Sequence, residues 1–173
     1  MIKSGYLMAH GAPILRREIL ANSITVTAGD MILFDTDGFA ALGTAGAALL
    51  GVVENIGTDE GVGLNTTGVA GAAMGSFVGT FLTASDNETV GKVRAELDIS
   101  QYSLWQAEAD AALATTSGSD QAGVYFDIVD EDSIDESSVV DTTAQVHSWG
   151  PHALDTTNDI EMNIFESSVF TAA

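Results

Sequence analysis

The stretch SITVTAGDMILFDTDGFAALG, Ser23 to Gly43, decides how the chain is read. β-Branched, aliphatic and aromatic residues come in short runs punctuated by Gly or Asp, which is the grammar of strands joined by tight turns. At its centre Asp35-Thr36-Asp37-Gly38 separates MILF from FAAL. Alternate acidic oxygens followed by glycine open a calcium loop, but such a loop also needs an oxygen ligand at its fifth position and a bidentate Glu at its twelfth. Phe39 and Gly46 stand at those places. The tetrapeptide therefore reads as a β-turn, with Asp initiating and Gly taking the positive φ.

The same grammar continues outward in AALLGVVENIG, EGVGLNTTGVAGAAMG, SFVGTFLTAS, TVGKVRAELDI and AGVYFDIVD. Near the end, DIEMNIFESSVF alternates Ile160, Met162 and Ile164 with Glu161, Asn163 and Phe165, as a late strand would. Closely spaced strands of this kind predict a mainly β chain, a small antiparallel β-barrel or β-sandwich. Only SQYSLWQAEADAALATT, Ser100 to Thr116, has helical character, with Leu104, Ala107, Ala111 and Leu113 near one face, and a short helix is the expectation there. Tyr102, Leu104 and Gln106 also alternate with Ser103, Trp105 and Ala107, so periodicity leaves a strand open. Residues 1–20 show no clean period and carry Gly5, Gly11 and Pro13, and they are expected to form an extended N-terminal arm before one β-rich domain over 21–173.

Charge narrows the function classes. The chain has 25 Asp and Glu against 5 Lys and Arg, a formal net charge of -20 in 173 residues. Three of the basic residues, Lys3, Arg16 and Arg17, lie in the arm, and only Lys92 and Arg94 follow. Phosphate binding requires positive charge to displace counterions, so neither nucleic acid nor an anionic membrane surface is an expected partner. An acidic mimic of DNA that inhibits a nucleic-acid enzyme is disfavoured too, because the charge is scattered through Gly-rich strands. No apolar run is long enough to span a bilayer, and the N-terminus lacks the layout of a signal peptide. With 0 cysteines there is no disulfide framework, thiolate metal site or thiol nucleophile.

Motifs for chemistry are thin. The acidic run Asp127, Asp130, Glu131, Asp132, Asp135, Glu136 and Asp141 matches no calcium spacing, and it reads as an acidic connection between two strands, facing solvent or a basic neighbour. His147 and His152 bracket HSWGPH with Asp155 close behind, yet the Gly150-Pro151 turn denies them the helical face of a zinc motif. There is no Gly-x-Ser-x-Gly elbow, no phosphate loop and no dinucleotide fingerprint, since GVGLNTTG lacks both the Lys and the spacing. No catalytic residue, cofactor or metal is expected, and an enzyme is disfavoured.

The N-terminal half, ILANSITVTAGDMILFDTDGFAALGTAGAALLGVVENIG, resembles the capsid decoration (cement) proteins of tailed phages. The likeness rests on Ala28-Gly29-Asp30 leading into a strand, the Asp37-Gly38-Phe39 turn, and Leu49-Leu50-Gly51-Val52-Val53-Glu54 before a Gly-rich segment. GKVRAELD, AGVYFDIVD and DIEMNIFESSVF are similar to the later part of such head proteins. The resemblance implies a non-enzymatic β-barrel on the outer surface of the virion, bound to the major capsid protein and associated with itself as a homotrimer. On that reading the arm would supply the contacts to the shell or a sister subunit through Tyr6, Leu7, Met8, Ile14, Leu15, Arg16 and Arg17. The alternative is a carbohydrate- or calcium-binding β-module, motivated by the acidic clusters and by Trp105 and Trp149 as candidate exposed aromatics.

Overall fold

A computed structural model describes residues 7–10, 14–58, 63–64, 70–71, 80–91, 93–100, 102–112, 123–139, 145–152 and 155–164. The chain is mainly β. In order come β1 (Leu7–His10), β2 (Leu15–Ile19), β3 (Thr25–Thr27), β4 (Met31–Phe34), β5 (Ala40–Leu42) and β6 (Leu49–Thr58). The short pairs β7 (Gly63–Leu64) and β8 (Ala70–Gly71) follow, then β9 (Thr80–Leu82) and one turn of helix, α1 (Asn87–Val90). The remainder is β10 (Val93–Asp98), β11 (Leu104–Ala109), β12 (Tyr125–Asp130), β13 (Ser133–Val139), β14 (Val146–His152) and β15 (Asp155–Ile164).

Five strands form a sheet in the order β2-β10-β6-β4-β5, and a bridge between Leu20 and Ala40 joins its two edges into a barrel. Alternation selects the inside: Val93, Ala95 and Leu97 of β10 point inward to meet Leu20, Ile32, Ala40, Leu50 and Ile56. The β3–β9 pair adds Val26 and Phe81 to this core. Asn87 is buried beside it, donating from Nδ2 to the Leu20 carbonyl at 2.6 Å and the Val93 carbonyl at 3.0 Å, and accepting the Val93 N–H at 2.8 Å.

A second ring runs β11-β13-β12-β14-β15 and returns to β11, because β15 pairs with β11 as well as with β14. Trp105, Ala107, Phe126, Ile128, Ile160 and Met162 fill it. Met31, Leu49 and Val52, from the outward positions of the first barrel, pack into the same cluster. Such closed rings leave few unpaired strand edges. β1 pairs along β11 and β2 along β10, so the described parts of residues 1–20 are extended, as expected, and each is hydrogen bonded to a sheet.

The expected helix over Ser100–Thr116 is corrected. Residues Leu104–Ala109 are strand β11, with Trp105, Ala107 and Ala109 buried at every second position. Those side chains are opposed by Met162 and Ile160 across β15, and this pairing outweighs the weak helical preference of the segment. The helix lies instead at Asn87–Val90, stopped by Gly91 in the left-handed region. A second correction concerns the acidic stretch: Ser133–Val139 is strand β13 rather than part of a connection, because Ile134 is buried in the second ring. The connection itself is the tight turn at Glu131 and Asp132, while Asp141 lies outside the described residues.

Two glycines have geometric roles. Gly38, at φ 86°, closes the Asp35 turn, where Asp35 Oδ1 accepts the N–H of Asp37 at 3.0 Å and of Phe39 at 2.8 Å; the β4–β5 hairpin then pairs Phe34 with Ala40. Gly51 lets β6 approach β10, since a Cβ there would lie 2.4 Å from the Asp98 carbonyl oxygen. Gly51→Ala is therefore expected to destabilise the fold by about 3 kcal/mol in urea denaturation, the cost of overpacking against backbone that has nowhere to move.

Candidate functional site

The sequence singled out the arm, and its residues Ile14 to Arg17 form an exposed strip on the first barrel. Ile14 donates its N–H to buried Asp98 Oδ1 at 3.0 Å, which fixes where the chain enters β2. Beyond that anchor Ile14 and Leu15 are 55% and 50% exposed. Arg17 faces outward opposite Glu96 on β10 and pairs with it at 3.3 Å. Arg16 has the opposite parity, across from Leu97, so it sits at the end of the barrel. There its Nε engages Glu18, and its guanidinium lies 5.6 Å from the centre of the half-exposed Phe34 ring. Apolar and basic side chains are thus held together on a body whose other charges are mostly negative. Leu7 and Met8 pair through their backbones with Gln106 and Trp105, and Tyr6 lies outside the described residues.

The acidic turn is packed against the first barrel rather than standing free. The Met31 N–H donates to the Glu131 carbonyl at 2.7 Å, bringing Asp30 beside Asp130, Glu131 and Asp132. Asp30 is 5% exposed, and Oδ2 accepts the Thr27 N–H at 2.7 Å. Burial pushes its carboxyl up to about 7 against the opposing Thr27 hydrogen bond, with smaller contributions from the three neighbouring carboxylates. Asp132 is raised to about 6, by burial first and by Asp130 next. At Asp130 burial acts upward too, but hydrogen bonds from Ser133 and Asp132 outweigh it and hold the group below its ordinary value. Across the first barrel, burial followed by the charges of Asp98 and Glu96 raises Glu54.

Among the described residues no group of three or more His, Cys, Asp or Glu side chains is arranged to hold a metal ion. His147 contacts Asn163, and the backbones of His152 and Asp155 pair across the β14–β15 connection. Trp105 is corrected as an exposed aromatic: it is 2% exposed, inside the second ring, whereas Trp149 is 58% exposed.

Sequence reasoning passed over Gln145. It is buried where the second ring meets the segment after β5, and it uses its whole amide: Oε1 accepts the N–H of Gly46 at 3.0 Å and of Ile128 at 2.9 Å. Nε2 donates to the carbonyls of Thr44 at 2.9 Å and Ala47 at 2.6 Å. A single Gln between Ala144 and Val146 has no periodicity to mark it. Asp30 was visible only as the residue that leads from Ala28-Gly29 into a strand, since the groups around the acidic turn that raise it come from a distant part of the chain.

No described helix is long and apolar enough to cross a membrane. No family model matches the chain, and comparison with curated proteins and with solved structures gives no match.

Proposed function

We propose that the chain is a non-enzymatic structural virion protein that decorates and cements an icosahedral phage capsid, bound as a homotrimer to the outer face of the major capsid protein lattice. The observation that carries this reading is the β2 strip, where Ile14, Leu15, Arg16 and Arg17 gather exposed apolar surface and two of the five basic residues. Apolar area removed from water yields about 25 cal/mol per Å², so a strip of this kind supplies attachment energy while its arginines select a carboxylate-bearing partner. Repetition over a lattice multiplies a modest single-site affinity. The closed rings and a net charge of -20 support the reading, because they disfavour strand-edge aggregation and keep particles dispersed. The likeness in Ala28–Glu54 to phage decoration proteins points the same way.

Deleting residues 1–20 would remove β2 and open the first barrel, so substitutions on the strip are the sharper test. The triple variant Ile14→Ser, Leu15→Ser, Arg17→Ala is expected to melt close to the parent chain, since exposed substitutions change stability by about 1 kcal/mol or less in sum. Its affinity for assembled, undecorated heads should fall at least about tenfold in a sedimentation assay, a loss of about 1.4 kcal/mol. Undiminished attachment of that folded variant would overturn the reading. Analytical ultracentrifugation of the free protein tests the trimer separately.

A further inference from the structure

We infer that the outer face of the second ring around Trp149 is a binding site for a neutral carbohydrate chain. This face lies on β12, β14 and β15, on the ring that does not carry the β2 strip, and it stands independently of shell binding. Tyr125 and His147 are directly opposed across β12 and β14, with ring centres 4.9 Å apart. Trp149 continues the row, 5.1 Å from His147 and perpendicular to it at 87°. The result is a corner in which the indole stands perpendicular to the imidazole, with the phenol ring tilted at 47° on the other side.

The corner is held in place before any ligand arrives. Asn163 Oδ1 accepts the Trp149 Nε1–H at 2.7 Å and contacts His147 Nδ1 at 3.3 Å, while its amide nitrogen donates to the Ile164 carbonyl at 3.1 Å. Asn163 Oδ1 can only accept, so a hydrogen bond there uses an Nδ1–H of His147. Pairing along β14 shifts register between Ser148 and Gly150, so Trp149 is the extra residue of a β-bulge, stabilised by the Gly150 N–H donating to Ser148 Oγ at 3.1 Å. Bulges of this kind re-aim a side chain. Here the bulge and an amide clamp keep an indole 58% exposed that would gain from burial.

The surroundings select the ligand class. Asp127 and Glu161 lie on the same outward face by alternation with Phe126, Ile128, Ile160 and Met162, so the aromatic corner has an acidic rim. With a net charge of -20 behind it, this rim repels phosphates, nucleic acids and acidic sugars. A compact cation is held where several ring faces enclose one point, whereas Tyr125, His147 and Trp149 follow one another in an open row. Neutral sugars offer a C–H face to the indole and hydroxyls to the polar groups beside it, and a preformed site avoids much of the ordering cost of binding them.

The test is a titration of the full chain with cellohexaose, xylohexaose, mannohexaose and chitohexaose, followed by tryptophan emission and calorimetry. At least one should give a saturable blue shift with Kd in the range of about 10 µM to 1 mM. Trp149→Ala should weaken that binding at least about tenfold and Asn163→Ala by about fivefold, with unchanged circular dichroism, whereas Trp149→Phe should retain part of it. Four outcomes would overturn the inference: no saturable response to any of the four sugars, binding that survives Trp149→Ala, saturation by tetramethylammonium in their place, or a Trp149→Ala variant that only changes the oligomeric state.

Discussion

Asp30→Asn is expected to make the protein more stable at pH 8, by about 3 kcal/mol, and to leave it nearly unchanged at pH 4. The parent carboxyl is buried against Thr27 and beside the acidic turn, and its pKa is pushed up to about 7 from 3.8. A group raised in this way binds its proton more tightly in the folded state, so the stability it contributes is complete below its unfolded value and is lost as pH climbs through about 7. Above that pH the folded chain must hold a desolvated charge next to Glu131, Asp132 and Asp130. Asparagine keeps the oxygen that accepts the Thr27 N–H and has no charge to desolvate. Urea denaturation at the two pH values measures the effect, and an equal gain at both would show that the carboxyl is not displaced. The parent protein should itself melt higher at pH 5 than at pH 8, with a flatter profile in the variant.

Gln145→Leu is expected to cost about 4 kcal/mol, one of the largest effects available to a single polar substitution in this chain. Leucine has similar bulk but would strand the N–H groups of Gly46 and Ile128 and the carbonyls of Thr44 and Ala47, all now satisfied by one amide. Each buried group left unpaired costs about 1–3 kcal/mol, less whatever water recovers at the site. Gln145→Glu separates the contributions: it preserves an acceptor for the two N–H groups, removes both donors and adds a buried charge. It should be destabilising at neutral pH and partly restored in acid. Equilibrium unfolding of both variants checks the sign and the order.

The parts of the fold legible in the sequence are those whose causes are local. The Asp35–Gly38 turn follows from an Asx hydrogen bond and a positive φ, both matters of neighbouring residues. The alternation of Ile160, Met162 and Ile164 likewise identified β15. Leu104–Ala109 defeated local reading because alanine and leucine serve both periods there, and the choice was made by Met162 and Ile160 across the sheet. Trp105 turned inward for the same reason. The strip at Ile14–Arg17 was visible as composition, whereas its placement on a barrel wall depended on β10, which no local signal ties to it. Asn163 offered even less: its role as a clamp exists only because β14 brings His147 and Trp149 to it.

Ile14 hydrogen bonds to Asp98, 84 positions further along the chain. During synthesis at about 5–20 residues per second, the first strands emerge many seconds before their partners. β2 must wait for β10 and β1 for β11, so the first barrel cannot close before β10 has emerged. Pairings so distant in sequence carry a high loop-closure cost and slow the rate-limiting step of folding. The exposed residues that await partners in this interval are Ile14, Leu15, Arg16 and Arg17, and the two adjacent arginines give the nascent segment a charged gatekeeper against premature association.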